Sequence, residues 1–186
     1  MAGVRAQSGY LFGRPFKYMN NIQRITPKHF WEDRAARTKS YFFRNDKIIQ
    51  LKNNILQSLI KESIKCKSNT RICLHKNTNS NLHQMIVCQL KSNDHPAKFH
   101  IRREKSYQVL LGKLRLTVFD RKRQKKFVFN LSAKDLIPLR VPPGVFHHDR
   151  PLTTRCVHLE TISGSFNRKK DRVLAPASLF QGKRKI

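Results

Sequence analysis

Hydrophobic residues recur every three or four positions between residues 46 and 66, which is the spacing of an amphipathic α-helix. Asn45 or Asp46 stands where a side chain would cap the first turn. Because the apolar residues form one stripe, the helix is expected to pack that stripe against a sheet. The stripe consists of Ile48, Leu51, Ile55, Leu59 and Ile60.

From residue 71 the hydrophobic period changes to two, the period of side chains along a β-strand. Leu114, Leu116 and Val118 alternate with polar residues in this way, and turn-forming stretches such as NTNSN separate the alternating segments. Short strands at regular spacing indicate a sandwich or barrel rather than an alternating α/β fold. The predicted strands cover residues 71–75, 83–90, 98–101, 106–112, 113–120, 125–131, 135–141, 145–148 and 155–162.

These patterns divide the chain into three parts and predict a mainly β fold with one leading helix. Residues 46–164 carry the helix and the strands, whereas residues 1–45 and 165–186 form basic, irregular extensions. A core of about 140 residues is large enough to fold without disulfide bonds or bound metal ions. No apolar run approaches the roughly 20 residues of a membrane span, so no membrane partner is expected.

The four cysteines are scattered along the chain without a CxxC spacing. This distribution favours small buried thiols in a reducing compartment over a zinc site or a disulfide framework. They are Cys66, Cys73, Cys88 and Cys156.

The net charge of +28 constrains function more than any motif does. It extends into the predicted barrel, because residues 46–164 hold 23 basic and 8 acidic residues. A domain with this charge repels itself unless a polyanion neutralises it, and nucleic acid is the natural counterpart because each phosphate contact releases counterions. A membrane surface is less favoured, since no basic amphipathic helix with aromatic residues on one face is present.

The N-terminal residues 1–31 contain five basic residues and no acid, a composition typical of organelle import signals. The segment therefore predicts a mitochondrial protein. The alternative is a basic arm that stays attached and lies on RNA. Tyr41, Phe42 and Phe43, further along, are expected to pack on the core rather than to stack on bases.

Two segments have the outline of a metal-binding pair of strands. KFHIRREKSYQVLLG, at 98–112, contains a histidine, a short polar gap and an alternating strand that ends in glycine. PPGVFHH, at 142–148, places a tight proline–glycine turn before His147. Together they resemble the cupin superfamily, whose motifs are a His-x-His followed by a Glu and a Gly, and a later Pro-x-Gly-x-x-His.

The resemblance extends over roughly residues 47–176 and is closest to the small WbuC-like cupins of bacterial polysaccharide gene clusters. The shared pieces occur in the same order and imply a cupin-type β-barrel or jelly roll. After the leading helix they are R-x-x-L-H at 71–75, x-Q-x-x at 83–86, G-x-L-x-x-x-x-F-D at 112–120, P-P-G-x-x-H at 142–147 and x-E-x-x-x-G ending at 164.

In cupins two histidines, a glutamate and a later histidine bind one metal ion. His100 and His147 match the second and the last histidine, but Lys98 and Lys105 stand at the first-histidine and glutamate positions. An ammonium group has no lone pair to donate and repels a divalent cation. The resemblance therefore implies a degenerate site without metal or other cofactor, and it leaves open an anion at the lysines.

Basic clusters outside this site are predicted to contact RNA. The hairpin after Asp120 carries RKRQKK, and two further clusters lie near the C-terminus. No RNA-recognition module is evident in the sequence, so the implied contacts are to phosphates, which position a protein without reading sequence. The predicted RNA-binding residues are Arg121, Lys122, Arg123, Lys125, Lys126, Arg168, Lys169, Lys170, Arg172, Lys183, Arg184 and Lys185.

The sequence thus favours a non-enzymatic, RNA-binding structural component of a ribonucleoprotein particle. A mitochondrial ribosome is the expected particle, with ribosomal RNA and neighbouring ribosomal proteins as partners in the matrix and no small-molecule substrate. The alternative is a metal-binding WbuC-like cupin enzyme that acts on a sugar-like molecule in a pocket lined by His100, Tyr107 and His147. Its replacement metal ligands would be Glu104, His148 or His95.

Overall fold

The structure is a computed structural model, and it describes residues 19–36, 38–44, 49–120, 126–167 and 170–175. These residues form fourteen β-strands and one α-helix. In chain order they are β1 (Met19–Ile22), β2 (Phe30–Glu32), β3 (Lys39–Phe43), β4 (Ile49–Leu51), α1 (Asn54–Lys65), β5 (Thr70–Cys73), β6 (Leu82–Leu90), β7 (Lys98–His100), β8 (Lys105–Leu111), β9 (Lys113–Phe119), β10 (Lys126–Ser132), β11 (Leu139–Val141), β12 (His147–Pro151), β13 (Arg155–Ser163) and β14 (Arg172–Leu174).

Two sheets make up the barrel. The larger has seven strands in the order β11-β8-β13-β6-β5-β3-β2, and the smaller has five in the order β10-β9-β12-β7-β14. Neighbours in both sheets run antiparallel except β3 and β5, which are parallel. The mainly β, barrel-like fold predicted from the two-residue period is therefore confirmed. A separate parallel pair joins β1 and β4.

The two sheets meet through a buried apolar layer. Tyr107 and Val109 from β8 pack with Leu114 and Leu116 from β9, and all four are buried. Alternation along each strand explains this layer, since every second side chain points inward. Lys113 and Arg115, at the intervening positions of β9, are exposed.

The helix covers the outer face of the larger sheet. Ile55, Leu59 and Ile60 pack in one cluster with Ile72 of β5 and Ile86 of β6. The predicted packing of one apolar stripe against a sheet is confirmed, although the helix begins at Asn54 rather than at residue 46. The preceding residues Ile49–Leu51 are strand β4, which takes its hydrogen bonds from β1, and residues 45–48 lie outside the described chain.

Both predicted extensions contribute strands to the barrel. Strand β3 pairs with β5, so the larger sheet continues past the predicted boundary at residue 45. Phe42 and Phe43 are buried, as expected of residues that pack on the core. At the other end β14 pairs with β7, so the region 165–186 is not irregular throughout. Backbone hydrogen bonds to a strand distant in sequence stabilise both segments. The basic composition of the two segments gives no sign of this pairing.

No helix among the described residues is long and apolar enough to cross a membrane. All four cysteines are free thiols; Cys73, Cys88 and Cys156 are buried, whereas Cys66 is half-buried.

Candidate functional site

Four strands direct polar side chains into the barrel. Lys98 and His100 are two residues apart on β7, and His147 and Asp149 are two residues apart on β12, so each pair lies on one face of its strand. His147 is the register partner of Lys98. The rings of His100 and His147 lie 6.2 Å apart between centroids, so the structure brings together the residues that the sequence assigned to one site.

Each lysine of the site forms an ion pair with a buried carboxylate. Nζ of Lys105 lies 2.8 Å from Oε2 of Glu160 on β13, and Nζ of Lys98 lies 3.4 Å from Oδ1 of Asp149. Lys105 is only 3% exposed. These ammonium groups stand at the positions where the sequence resemblance implies metal ligands, and their charge is compensated from within the barrel.

The electrostatic surroundings keep both carboxylates ionised. Burial acts to raise the pKa of Asp149, but Lys98 and His95 hold it well below its usual value. Burial likewise acts to raise the pKa of Glu160, and Lys105 keeps that pKa far below its ordinary range. Burial lowers the pKa of Lys105 despite the attraction of Glu160. The interior thus holds two charge pairs in a low-dielectric space.

The two histidines are neutral in the folded protein. Burial lowers the pKa of His100 to about 3, and repulsion from Lys105 and Lys98 adds to this effect. The same causes lower the pKa of His147 to about 4. Nδ1 of His147 is bound to the carbonyl oxygen of Val145 at 2.9 Å, which fixes the ring. Nε2 of both histidines has no hydrogen-bond partner among the described residues.

Asp149 is the central acceptor of the site, a role that the cupin motifs do not assign to its position. Tyr107 donates its hydroxyl to Oδ1 of Asp149 at 3.1 Å, and Nε2 of His95 lies 3.0 Å from Oδ2. The ammonium group of Lys105 lies 4.7 Å from the centroid of the Tyr107 ring. The signal that could have identified Asp149 was its spacing of two residues from His147, but the predicted strand ended at residue 148, one residue before it.

Comparison with known proteins finds similar solved structures but no similar family profile or curated sequence. No profile of a known protein family matches the chain, and no curated protein sequence matches it. Solved structures of CapF, described as a capsular polysaccharide assembling protein of Staphylococcus aureus, superpose with 15% identity and a TM-score of 0.51 over 59% of this chain. CapF with the inhibitor 3-isopropenyl-tropolone gives a TM-score of 0.50 at the same identity and coverage. The chain has a cupin-type fold.

The similarity covers only part of the CapF chain. This protein spans 30% of one CapF structure and 32% of the other. Oxalate decarboxylase from Bacillus subtilis also superposes, over 56% of this chain and 26% of its own, at 15% identity and a TM-score of 0.45. At 15% identity the comparison with CapF establishes the cupin-type fold and nothing finer.

The side chains of this cupin barrel do not fit a metal ion. The described residues contain no group of three or more His, Cys, Asp or Glu that could hold one. Each alternative ligand already has another partner: Glu104 is bound by Arg140, His148 lies 2.7 Å from Asp94, and His95 contacts Asp149. Two histidines alone fall short of the three protein ligands that zinc or iron usually needs.

A cavity of about 210 Å³ lies in the cupin barrel beside these groups. Arg103 lines it, and its guanidinium binds Asp171 at 2.6 Å while Nη2 has no partner among the described residues. Nε2 of His83 is likewise unpartnered there. Burial lowers the pKa of His83 to about 4, so this ring is neutral. The cavity therefore offers Nη2 of Arg103 as a hydrogen-bond donor at a wall that also includes the cations Lys98, Lys105, Arg71 and Arg172.

Three of the residues predicted to bind RNA can be located. Lys126 is exposed at the start of β10 and Lys170 is exposed in a turn. Arg172 is exposed on β14 and is also among the residues that line the cavity. The remaining residues of that prediction lie outside the described chain: Arg121, Lys122, Arg123, Lys125, Arg168, Lys169, Lys183, Arg184 and Lys185.

Proposed function

We propose that this protein is an RNA-binding structural component of a ribonucleoprotein particle. The observation that carries the proposal is the cationic excess of the folded part, where residues 46–164 hold 23 basic and 8 acidic residues. The carboxylates of Glu62, Glu104, Asp149, Glu160 and Asp171 are all engaged in ion pairs within the chain. The surplus charge therefore faces outward, where a polyanion would neutralise it.

The interior of the barrel supports a non-enzymatic role. Lys98 and Lys105 stand at two of the positions that a metal-dependent cupin would use for ligands, and each is paired with a buried carboxylate. An ammonium group at such a position excludes a divalent ion. The fold of an ancestral enzyme would then persist as a scaffold, and its surface would carry the function.

A mitochondrial ribosome is the particle that fits best. Five basic residues and no acid in residues 1–31 are typical of an import signal. The proposed partners are ribosomal RNA, contacted through phosphates, and neighbouring ribosomal proteins. The proposed location is the mitochondrial matrix. The basic clusters near the C-terminus and at the 121–126 hairpin would supply further phosphate contacts.

Sedimentation of the tagged full chain from mitochondrial lysate tests this proposal. In low and in high salt, the protein is expected to migrate with a ribosomal subunit and to carry no stoichiometric metal. Crosslinking followed by RNA sequencing identifies the bound RNA. A light species that carries metal and no RNA would overturn the proposal.

The cavity favours a second candidate, a metal-free binding site for a small acidic or sugar-like molecule. Arg103 and His83 are each 4% exposed, both line the cavity of about 210 Å³, and each has one nitrogen without a hydrogen-bond partner among the described residues. Thermal-shift measurements with small carboxylates, phosphate and monosaccharides test it. A shift of several degrees that Arg103→Gln abolishes would support this candidate, and no shift with any of these compounds would exclude them as ligands.

A further inference from the structure

Two arginines lie directly opposite one another on the outer face of the smaller sheet. Arg115 of β9 is the register partner of Arg150 of β12. Side chains in opposite positions of an antiparallel pair lie on the same face of the sheet, about 5 Å apart at Cβ. Both arginines are exposed. Because like charges in opposite positions destabilise a strand pair, an anion bound between them would remove a repulsion that the free protein carries.

The two arginines line a groove without any carboxylate. The groove has a volume of about 370 Å³ and is bounded by strands β9 and β12 and by Lys91, which follows β6. Asp94 lies near this edge, but its Oδ1 is occupied by Nε2 of His148 at 2.7 Å. The lining residues of the groove are Lys91, Arg115, Thr117, His148, Arg150, Pro151 and Leu152.

The lysine and the two arginines of this groove have no compensating carboxylate among the described residues, although Asp94 binds His148 at its edge. The ion pairs that the structure describes involve other cations, and none includes Arg115, Arg150 or Lys91. This contrasts with the barrel interior, where both lysines are paired with carboxylates. Lys91, Arg115 and Arg150 therefore keep their positive charge on this face.

The neighbouring strand β10 holds Arg115 in place on this face. Nε of Arg115 donates a hydrogen bond to Oδ1 of Asn130 at 3.1 Å, and Asn130 is the register partner of Arg115. The guanidinium is therefore partly ordered before any ligand binds, which reduces the entropy lost on binding. A planar guanidinium binds two phosphate oxygens at once, and this makes arginine better suited to phosphate than lysine.

The chemistry of this face suits the backbone of a nucleic acid rather than its bases. Thr117 and Asn130, which lie close to Arg115 on this face, carry no aromatic ring, and the ring of His148 is already held by Asp94 and His95. Phe129 is the register partner of the buried Leu116, so it lies on the opposite face of β10. Contacts through arginine and lysine alone recognise phosphates and do not depend on sequence.

We propose that the groove formed by Lys91, Arg115 and Arg150 binds the phosphate backbone of RNA. This inference rests on the proposed function and names the surface that would perform it. The predicted basic hairpin at 121–126 begins two residues after the end of β9, the strand that carries Arg115.

Fluorescence anisotropy of the full chain with two labelled RNA oligonucleotides of unrelated sequence tests the assignment. The variant is Arg115→Gln/Arg150→Gln. The matched control is Lys61→Gln/Lys65→Gln, which removes the same charge from two exposed positions on α1. Circular dichroism establishes that both variants are folded. Affinity is measured from low salt to about 300 mM, because the slope against salt counts phosphate contacts.

The arginine variant is expected to bind both RNAs at least tenfold more weakly near physiological salt, and its salt slope should fall by about 1 for each phosphate that it no longer neutralises. The control is expected to weaken binding by less than about threefold, and RNA is expected to protect Lys91 from acetylation. Equal weakening in the two variants would overturn this groove as the site and leave the proposed function intact. A wild-type chain that binds neither RNA would overturn the proposed function itself.

Discussion

The ammonium group of Lys105 lies 2.8 Å from a carboxylate oxygen of Glu160 inside the barrel. Lys105 is 3% exposed and Glu160 is 8% exposed, so this is a buried ion pair. Moving two charges out of water is costly, and their attraction repays that cost only when both partners are present. The pair explains how a cation can stand where the sequence resemblance implies a metal-ligating glutamate without leaving a net charge in the core.

Removal of one partner of this pair should destabilise the fold far more than removal of both. Lys105→Met is expected to lower the free energy of unfolding by about 3–5 kcal/mol, because Glu160 then remains buried without the ammonium group that pairs with it at 2.8 Å. The double variant Lys105→Met/Glu160→Gln should recover most of that stability. Urea unfolding of the four proteins of the cycle measures the coupling.

The exposed pair between Arg140 and Glu104 provides a matched control. The side chains of these residues are 67% and 44% exposed, and pairs of this kind contribute about 0–1 kcal/mol. Arg140→Met should therefore change stability by less than about 1 kcal/mol. If Lys105→Met costs no more than Arg140→Met, Glu160 does not depend on Lys105.

The four positions that match cupin metal ligands, Lys98, His100, Lys105 and His147, should bind metal if ligands are restored at the two lysines. We expect the variant Lys98→His/Lys105→Glu/Glu160→Gln to bind Co²⁺ or Zn²⁺, because it presents three histidines and one carboxylate toward one space. Glu160→Gln is included because the native carboxylate of Glu160 would repel the carboxylate introduced at position 105. The measurement is a metal-dependent rise in melting temperature, which follows from binding to the folded state alone.

The wild-type chain and the single variant Lys98→His serve as controls for metal restoration. Neither should show a stoichiometric metal in elemental analysis, because two or three histidines beside Lys105 face a retained positive charge. Metal binding by the wild type would contradict the description of the site as degenerate. Absence of metal from a folded triple variant would mean that the four positions do not converge.

The hydrophobic period along the chain was sufficient to predict most barrel strands. The strands that it did not predict are short ones that depend on pairing with strands distant in sequence. The alternating pattern places β9 within one residue at each end, since alternation is a local property. Strands β3 and β14 are short and take their hydrogen bonds from β5 and β7, far away in sequence. Because these segments are basic, they were interpreted as irregular extensions. The aromatic residues at Tyr41–Phe43, which favour strands, were a local sign of β3.

The sequence predicted which residues form the site, but not the carboxylates that pair with its lysines. Motif matching located Lys98, His100, Lys105 and His147, which the fold brings together. Their counterions were not recognised, because pairing Lys105 with Glu160 requires knowing that β8 and β13 are neighbours. Nothing in local sequence encodes that neighbourhood, although a buried lysine in a strand always requires an explanation.

Acid should unfold this protein over the range in which its buried histidines would take up protons. Burial lowers the pKa of His100 to about 3 and that of His147 to about 4, whereas an unfolded histidine titrates near about 6.5. The unfolded state therefore binds more protons between these values, and stability falls as the pH drops from about 7 to about 4. Each histidine contributes at most about 1.4 kcal/mol per pH unit.

The carboxylates of the site act at lower pH. The pKa values of Asp149 and Glu160 are depressed, so their contribution is present above about pH 4 and is lost only below it. Urea unfolding at pH 5–8 measures the contribution of the histidines separately from that of the carboxylates. The slope of the free energy of unfolding against pH counts the protons taken up on unfolding, and His147→Gln should lower that number by up to one. An unchanged slope in this variant would mean that His147 is already solvated in the native state.

The thiols should separate into one reactive group and three protected ones. Cys73, Cys88 and Cys156 are 0% exposed, and burial raises the pKa of Cys73 and Cys156 to about 12. Cys66 is half-buried just after α1, where its sulfur lies 3.6 Å from the hydroxyl of Thr70. Because the thiolate is the reactive form, a disulfide reagent should label one thiol rapidly in the native protein and all four in urea. Cys66→Ser should remove the rapid phase, and its persistence in that variant would mean that the sheet beneath the helix opens readily in the native state.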